Sequence, residues 1–308
     1  MSPSNPFGAR STADQVLAGI DLSGRRFAVT GCNSGIGFEI MNALAANGAE
    51  VIGLARTLDA ASAACKLAGP SCSPLACDLA DLRSVSSAVE SIHALAVPLD
   101  CIVANAAIAN LPRLQTRYGV ELQFAVNHLG HFALVNGLID VVRNGTGRIV
   151  VVTSKAARRA ATANLLLDNL DGHRTYAPQA FYDQSKIAQA VYAKELSRRV
   201  AGREIMVNSV YPGTTRGTGI DRHHTRPLLP PIAKLFRRDV RRGAATPALL
   251  AASPQVAGIS GEFWTDCRIA QSHRLLSDAD LARHLWDISE RIVEAQIHPK
   301  SERLQVAA

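Results

Sequence analysis

Short runs of consecutive apolar residues alternate along this chain with longer stretches in which apolar positions recur every three or four residues. The short runs are RRFAVTG (25–31), EVIGLAR (50–56), SPLACDL (73–79), DCIVANAA (100–107), GRIVVVTS (147–154), IMVNSVYPG (205–213) and GISGEFWTD (258–266). They have strand length, are rich in β-branched residues and end near Gly, Pro or Asp, so they predict strands. Between them GFEIMNALAANG, DLRSVSSAVESIHAL, VELQFAVNHLGHFALVNGLIDVVRNG and AFYDQSKIAQAVYAKELSRR carry a helical period. Strands that are apolar almost throughout, separated by helices, predict an α/β fold: a doubly wound parallel sheet of about seven strands with both faces covered. No repeat or low-complexity linker interrupts the alternation. The expected organisation is a polar arm at 1–24, a single domain at 25–270, and a C-terminal helix and tail at 271–308. Residues 214–242, rich in Arg, His and Pro, follow the carboxyl end of a predicted strand and are expected to lie over a ligand as a lid.

Composition narrows the classes. With 308 residues, 47% hydrophobic and 19% charged, the chain can bury a full core. No run approaches the ~18 apolar residues of a membrane helix, and the first residues lack a basic start followed by an apolar run, so a cytoplasmic protein without a membrane anchor is expected. The net charge of +7 comes from dispersed arginines, grouped only at Arg237, Arg238, Arg241 and Arg242, and aromatics make up just 5%. That pattern speaks against a nucleic-acid partner and fits a site for small phosphates or a solvated basic surface. The six cysteines form no C-x-x-C pair and read as reduced, buried thiols. His128 and His131 in NHLGHF have no carboxylate at a zinc-protease spacing, so no metal is expected.

The first strand runs into TGCNSGIGFE, with glycines at 31, 35 and 37 ahead of a helix. Glycine is needed where the chain turns sharply and where backbone must approach a pyrophosphate, and the helix N-terminus supplies N–H groups and partial positive charge. A Rossmann-type fold is therefore expected, with Gly31, Asn33, Ser34, Gly35, Ile36 and Gly37 as its phosphate loop. At the end of the second strand Ala55 stands where a carboxylate would bind a ribose 2′-hydroxyl, and Arg56 is next to it. A guanidinium grips a 2′-phosphate that a carboxylate would repel, so NADP(H) is the preferred cofactor and NAD(H) the possible one.

FYDQSK (181–186) places Tyr182 and Lys186 four residues apart on a predicted helix, so phenol and ammonium share a face. The spacing alone is compatible with an ordinary amphipathic helix. With the phosphate loop upstream it suggests a proton-transfer pair. Bringing a phenol from pKa ~10 to ~7 requires roughly 4 kcal/mol, and a cation ~4 Å away at an effective dielectric of ~20 supplies about that much.

Taken together these segments resemble the short-chain dehydrogenases/reductases, across about residues 25 to 270. FAVNHLGHFALV and YAPQAFYDQSKIAQ are most similar to the retinol dehydrogenase-like group. The resemblance implies a catalytic tetrad of Asn127, Ser154, Tyr182 and Lys186. It gives Thr30 a place in the cofactor loop, Asp78 and Leu79 a place beside the adenine, and Asn105 and Ala106 the motif after the fourth strand. Pro212 and Gly213 match the turn at the nicotinamide. Tyr182 is then general acid or base, Lys186 lowers its pKa and holds the nicotinamide ribose, Ser154 binds the substrate oxygen and Asn127 positions a water. The family's last motif glycine is Ala107 here, and Gly217 stands where a threonine is expected. Pairing through 119–142 and 178–200 into a homodimer or homotetramer is also implied. The expected function is NADP(H)-dependent interconversion of a carbonyl and an alcohol on a fairly apolar small molecule. A catalytically idle NADPH-binding sensor is the alternative, separated by whether any carbonyl is turned over.

Overall fold

Eight strands form the central sheet of the computed structural model, in which residues 5–159, 164–215 and 239–297 are described. The strands are β1 (Arg26–Thr30), β2 (Glu50–Ala55), β3 (Cys72–Ala76), β4 (Cys101–Ala104), β7 (Arg148–Val152), β8 (Met206–Val210), β9 (Phe263–Thr265) and β10 (Arg268–Ile269). A separate antiparallel pair, β5 (Thr116–Arg117) and β6 (Val120–Glu121), lies outside it. The sheet order is β10-β9-β8-β7-β4-β1-β2-β3. All seven predicted strands are present within this parallel array, and only the last neighbours, β9 and β10, run antiparallel. Strand order reverses between β1 and β4, whose registers pair Phe27 with Cys101 and Val29 with Val103. A crevice opens beyond the carboxyl ends of strands at such a reversal, and this positions the site.

Helices cover both faces: α1 (Ala13–Leu17), α2 (Gly35–Ala46), α3 (Leu58–Ala68), α4 (Leu82–His93), α5 (Leu122–Phe124), α6 (Gly130–Gly137), α7 (Ala156–Arg159) and α8 (Pro178–Arg199). Their starts follow local chemistry. Thr57 accepts from Ala60 N–H ahead of α3, Asp81 from Arg83 N–H ahead of α4, and Pro178 occupies the first turn of α8, where a missing N–H costs nothing. One core layer joins α2 to the helix Ala245–Ala252 around Phe27, Val29, Ile40 and Leu249. The other packs α4 and α6 on Ile102, Ile149 and Val151.

Three expectations change here. The arm at 1–24 is not merely polar: from Asn5 it is laid onto the domain, and α1 buries Val16 and Leu17 behind a Thr12–Gln15 capping box. The helix expected through 119–142 starts later and changes pitch: β6 holds Val120–Glu121, and from Leu122 the backbone stays helical through α5, a π-helical turn (Ala125–Leu129) and α6 before a 3-10 turn (Ile139–Val141). The face expected to carry pairing is covered in part by the C-terminal helix Ala279–Ile297. Trp286 stacks on Tyr192 at 5.7 Å between ring centroids, Ser289 Oγ accepts from His128 Nε2 at 2.8 Å, and the Arg199 guanidinium lies 3.8 Å over the Trp286 ring. His128 is thus a core residue, and burial pushes its pKa down to about 3.

Most of the 214–242 loop, including Arg237, Arg238, Gly217 and Thr218, lies outside the described residues. Where the chain returns, Arg241 on the helix Val240–Gly243 reaches Glu39 of α2 at 3.9 Å. The loop's end is therefore fastened to the helix that starts at the phosphate cradle. Among the described residues no helix is long and apolar enough to cross a membrane.

Candidate active site

At the end of β1 the chain turns through Gly31 (φ +69°) and enters α2 through Gly35 (φ +58°), a region that L side chains rarely occupy. The Gly31 N–H is held by Leu54 O at 2.8 Å. Ser34 precedes α2 in extended conformation and makes no side-chain cap bond, which leaves the first N–H groups of a twelve-residue helix available to an anion. Asn33 and Ser34 are exposed, Gly35 is half-buried, and Ile36 and Gly37 are buried. A Cβ at Gly37 would stand 2.2 Å from Gly31 O and 2.5 Å from Asn105 Nδ2. Backbone meets backbone here, so the third glycine is a packing requirement. Gly37→Ala is expected to cost about 1–3 kcal/mol of stability as overpacking and to weaken binding of a nicotinamide dinucleotide at least about tenfold; denaturant melts and cofactor fluorescence titration check both.

Thr30 ties this loop to the chain after β4. Its Oγ1 accepts from Asn105 N–H (2.8 Å) and Ala106 N–H (3.0 Å), and Asn105 Nδ2 donates to Thr30 O (2.9 Å). Arg56 is exposed at the end of β2, beside buried Ala55. Asp78 Oδ1 accepts from Ala80 N–H at 3.0 Å, and buried Leu79 lies against Gly130, where a Cβ would stand 2.4 Å from Leu79 O. Pro212 and Gly213 are buried just past β8, with Gly213 at φ +86°. The predicted cofactor residues thus gather along the carboxyl edge of the sheet, from β3 across to β8. The groups present suit a dinucleotide: a turn whose Gly31 and Gly37 leave no room for a side chain, an open helix N-terminus, and an arginine in place of an acid at the β2 end.

Asn127 lies in the π-helical turn and is fully buried. Its Oδ1 accepts from Ile108 N–H, and its Nδ2 donates to Ile108 O and to Ser185 Oγ, each at 2.9 Å. Ser185 Oγ in turn donates to Tyr182 O at 2.7 Å. One side chain therefore clamps the chain after β4 to the turn of α8 that carries the tyrosine. A π turn is a common device at functional sites, and here it lets Asn127 face both neighbours. Ser154, buried just beyond β7, accepts from Ala156 N–H at 3.1 Å and still carries a hydroxyl proton to donate. Tyr182 is half-buried in the first turns of α8. Lys186, one turn later and only 2% exposed, donates from Nζ to Val152 O (3.0 Å) and Gln189 Oε1 (2.7 Å). Burial pushes its pKa down to about 7.

Two residues in this assembly go beyond the expected set. Ser185 lies outside the expected tetrad, yet it joins Asn127 to Tyr182. Gln189 holds the lysine. Neither role shows in the sequence: α8 is buried without a break from Gln184 to Ala193, so no polar stripe singles out Ser185 or Gln189. Gln184 has another task, its Oε1 accepting from Leu166 N–H at 2.8 Å in the segment before α8.

Comparison with known proteins decides the family. A family model described as short chain dehydrogenase matches residues 25–165. The chain is 35% identical to the WW domain-containing oxidoreductase of Homo sapiens over 308 residues, covering 96% of this chain and 74% of that protein. The chain belongs to the short-chain dehydrogenases. A second relative, retinol dehydrogenase 14 of Homo sapiens, is 38% identical over 222 residues, covering 70% of this chain and 65% of that one. Among solved structures, a short chain dehydrogenase from Burkholderia cenocepacia in complex with NADP matches with a TM-score of 0.62 and 26% identity, covering 80% of this chain and 97% of that one. As a short-chain dehydrogenase this chain is an oxidoreductase of a family that binds a nicotinamide cofactor.

Proposed function

We propose that this short-chain dehydrogenase interconverts a carbonyl and an alcohol on a fairly apolar small molecule, with NADP(H) as cofactor and Tyr182 as the general acid or base. The observation that carries the reading is the placement of Lys186. It is a buried lysine with no carboxylate partner among the described residues, one turn after Tyr182, held at the end of the strand that delivers Ser154. A structural role would be met more cheaply by an apolar side chain, because burying an ammonium is costly.

The nicotinamide supplies or accepts the hydride when bound; the chain supplies the proton and the alignment. The phenol of Tyr182 gives its proton to the carbonyl oxygen in reduction and removes the alcohol proton in oxidation. Ser154 donates a hydrogen bond to the same oxygen, where negative charge grows. Lys186 in its charged form stabilises the phenolate and, with two of its three donors already engaged, holds the ribose with the third. Asn127 keeps Ile108 and Ser185 in place, so the floor after β4 and the turn bearing Tyr182 do not separate.

Arg56 is the residue proposed to select the 2′-phosphate. Arg56→Ala is expected to weaken NADPH binding about ten- to hundredfold, the worth of one or two charge-assisted hydrogen bonds, with NADH affinity changed less than about twofold. Paired fluorescence titrations measure both. Equal losses for the two cofactors would remove Arg56 from this role. Turnover of NADPH over a panel of aldehydes and ketones tests the function as a whole.

A further inference from the structure

His131 in NHLGHF and Gln189 in SKIAQ have no part in the chemistry above, yet both are buried to 1% exposure and both touch the machinery. His131 Nδ1 lies 2.8 Å from Asn127 O. A carbonyl only accepts, so Nδ1 carries the proton and Nε2 is the acceptor. Nε2 is 2.9 Å from Thr30 Oγ1, so the threonine hydroxyl donates to it, and the same oxygen still receives Asn105 N–H and Ala106 N–H. Burial pushes the imidazole down to about 4, which keeps it neutral in this arrangement. One ring thereby joins the π turn, the end of β1 and the chain after β4. Gln189 Nε2 packs 3.4 Å from the same Nδ1, a contact between two donors that makes no hydrogen bond; the amide is oriented by its Oε1, which accepts from Lys186 Nζ at 2.7 Å.

We propose that Gln189 and His131 are positioning residues for Lys186. Gln189 fixes the ammonium against Val152 O, and His131, whose ring packs beside the Gln189 amide, ties Asn127 to the Thr30–Asn105–Ala106 floor. Among the described residues the titratable group that couples to Lys186 is His131 on α6, with Tyr182 one turn earlier on the lysine's own helix; β7 offers the Val152 carbonyl and leads into the Ser154 hydroxyl, and no carboxylate among the described residues contributes. The proposal rests on the reading that Lys186 acts on the Tyr182 phenol.

The test uses the whole chain saturated with NADP+ and follows the ultraviolet band of tyrosinate as pH is raised, taking each protein minus its Tyr182→Phe counterpart. The difference isolates Tyr182 and needs no substrate. Gln189→Glu, nearly isosteric, places an anion on the lysine and is expected to raise the Tyr182 midpoint by about one unit or more. Gln189→Leu frees the ammonium and raises it as well, Gln189→Asn restores part of the loss, and His131→Leu shifts it in the same direction by less. If the parent midpoint is depressed and Gln189→Glu and Gln189→Leu both leave it there, the positioning proposal is overturned while the function of Tyr182 and Lys186 stands. If the parent itself titrates like an ordinary tyrosine near ~10, the underlying reading falls and the proposal with it. Gln189→Glu and Gln189→Asn keep a polar side chain, so the comparison survives if the leucine variant fails to fold.

Discussion

Tyr182→Phe is expected to lower NADPH-dependent carbonyl reduction by about 10²–10⁴-fold while leaving NADPH affinity within about twofold. The magnitude is that of a positioned general acid, and the selectivity follows from the site. The ring keeps its place because the tie from this turn to Asn127 runs through the Tyr182 carbonyl and Ser185, not through the phenol oxygen. The cofactor cradle at Gly31–Gly37 lies on β1 and α2, and nothing in its glycine packing depends on the phenol. Loss of NADPH absorbance with the parent's best carbonyl, beside cofactor titration, gives both numbers. A phenylalanine variant as active as the parent would remove Tyr182 from the chemistry.

Lys186→Met is expected to abolish turnover and yet produce a more stable protein. The parent lysine has a folded-state pKa of about 7 against an ordinary value of 10.5, because burial disfavours its charge. Between those values the unfolded chain binds more protons than the folded one, so the parent gains stability as pH rises through that window and carries the full penalty below it. The depression corresponds to roughly 4–5 kcal/mol at most. Methionine fills similar space without a charge, but it leaves Val152 O and Gln189 Oε1 without their donor, which takes back about 1–3 kcal/mol. A net gain of about 2 kcal/mol near neutral pH remains, or about 4–8 °C in Tm at the ~2–4 °C per kcal/mol of a chain this size. Melts from about pH 6 to about pH 10 read the sign. The gap between variant and parent should narrow as pH rises, and a variant less stable than the parent throughout would mean that the lysine's bonds outweigh its burial.

That trade explains why some of the site was legible in the sequence and some was not. RRFAVTG, EVIGLAR and GRIVVVTS became β1, β2 and β7 within a residue or two, because an apolar run flanked by glycine or a charged residue encodes a buried strand locally. TGCNSGIG was legible for a similar reason: close backbone approach leaves glycine as its residue. The π turn at Asn127 was not. A π turn keeps nearly the same apolar period as an α-helix, and what favours it here are partners far along the chain, Ile108, Ser185 and Thr30. The role of Gln189 is of the same kind, since its meaning appears only when Lys186 and His131 are brought beside it. The short helix α1 is not legible either, because five residues are too few to show a period, although Thr12 and Gln15 spell its capping box.

The central claim is that this cradle and this lysine–tyrosine pair perform a reaction instead of merely binding a nucleotide. Its most direct measurement is NADPH consumption by the parent protein over a panel of apolar aldehydes and ketones, with the alcohol product quantified. The account predicts oxidation of NADPH in one-to-one proportion with alcohol for at least one class of carbonyl, and slower use of NADH. Tight NADPH binding with no carbonyl reduced anywhere in the panel would contradict it.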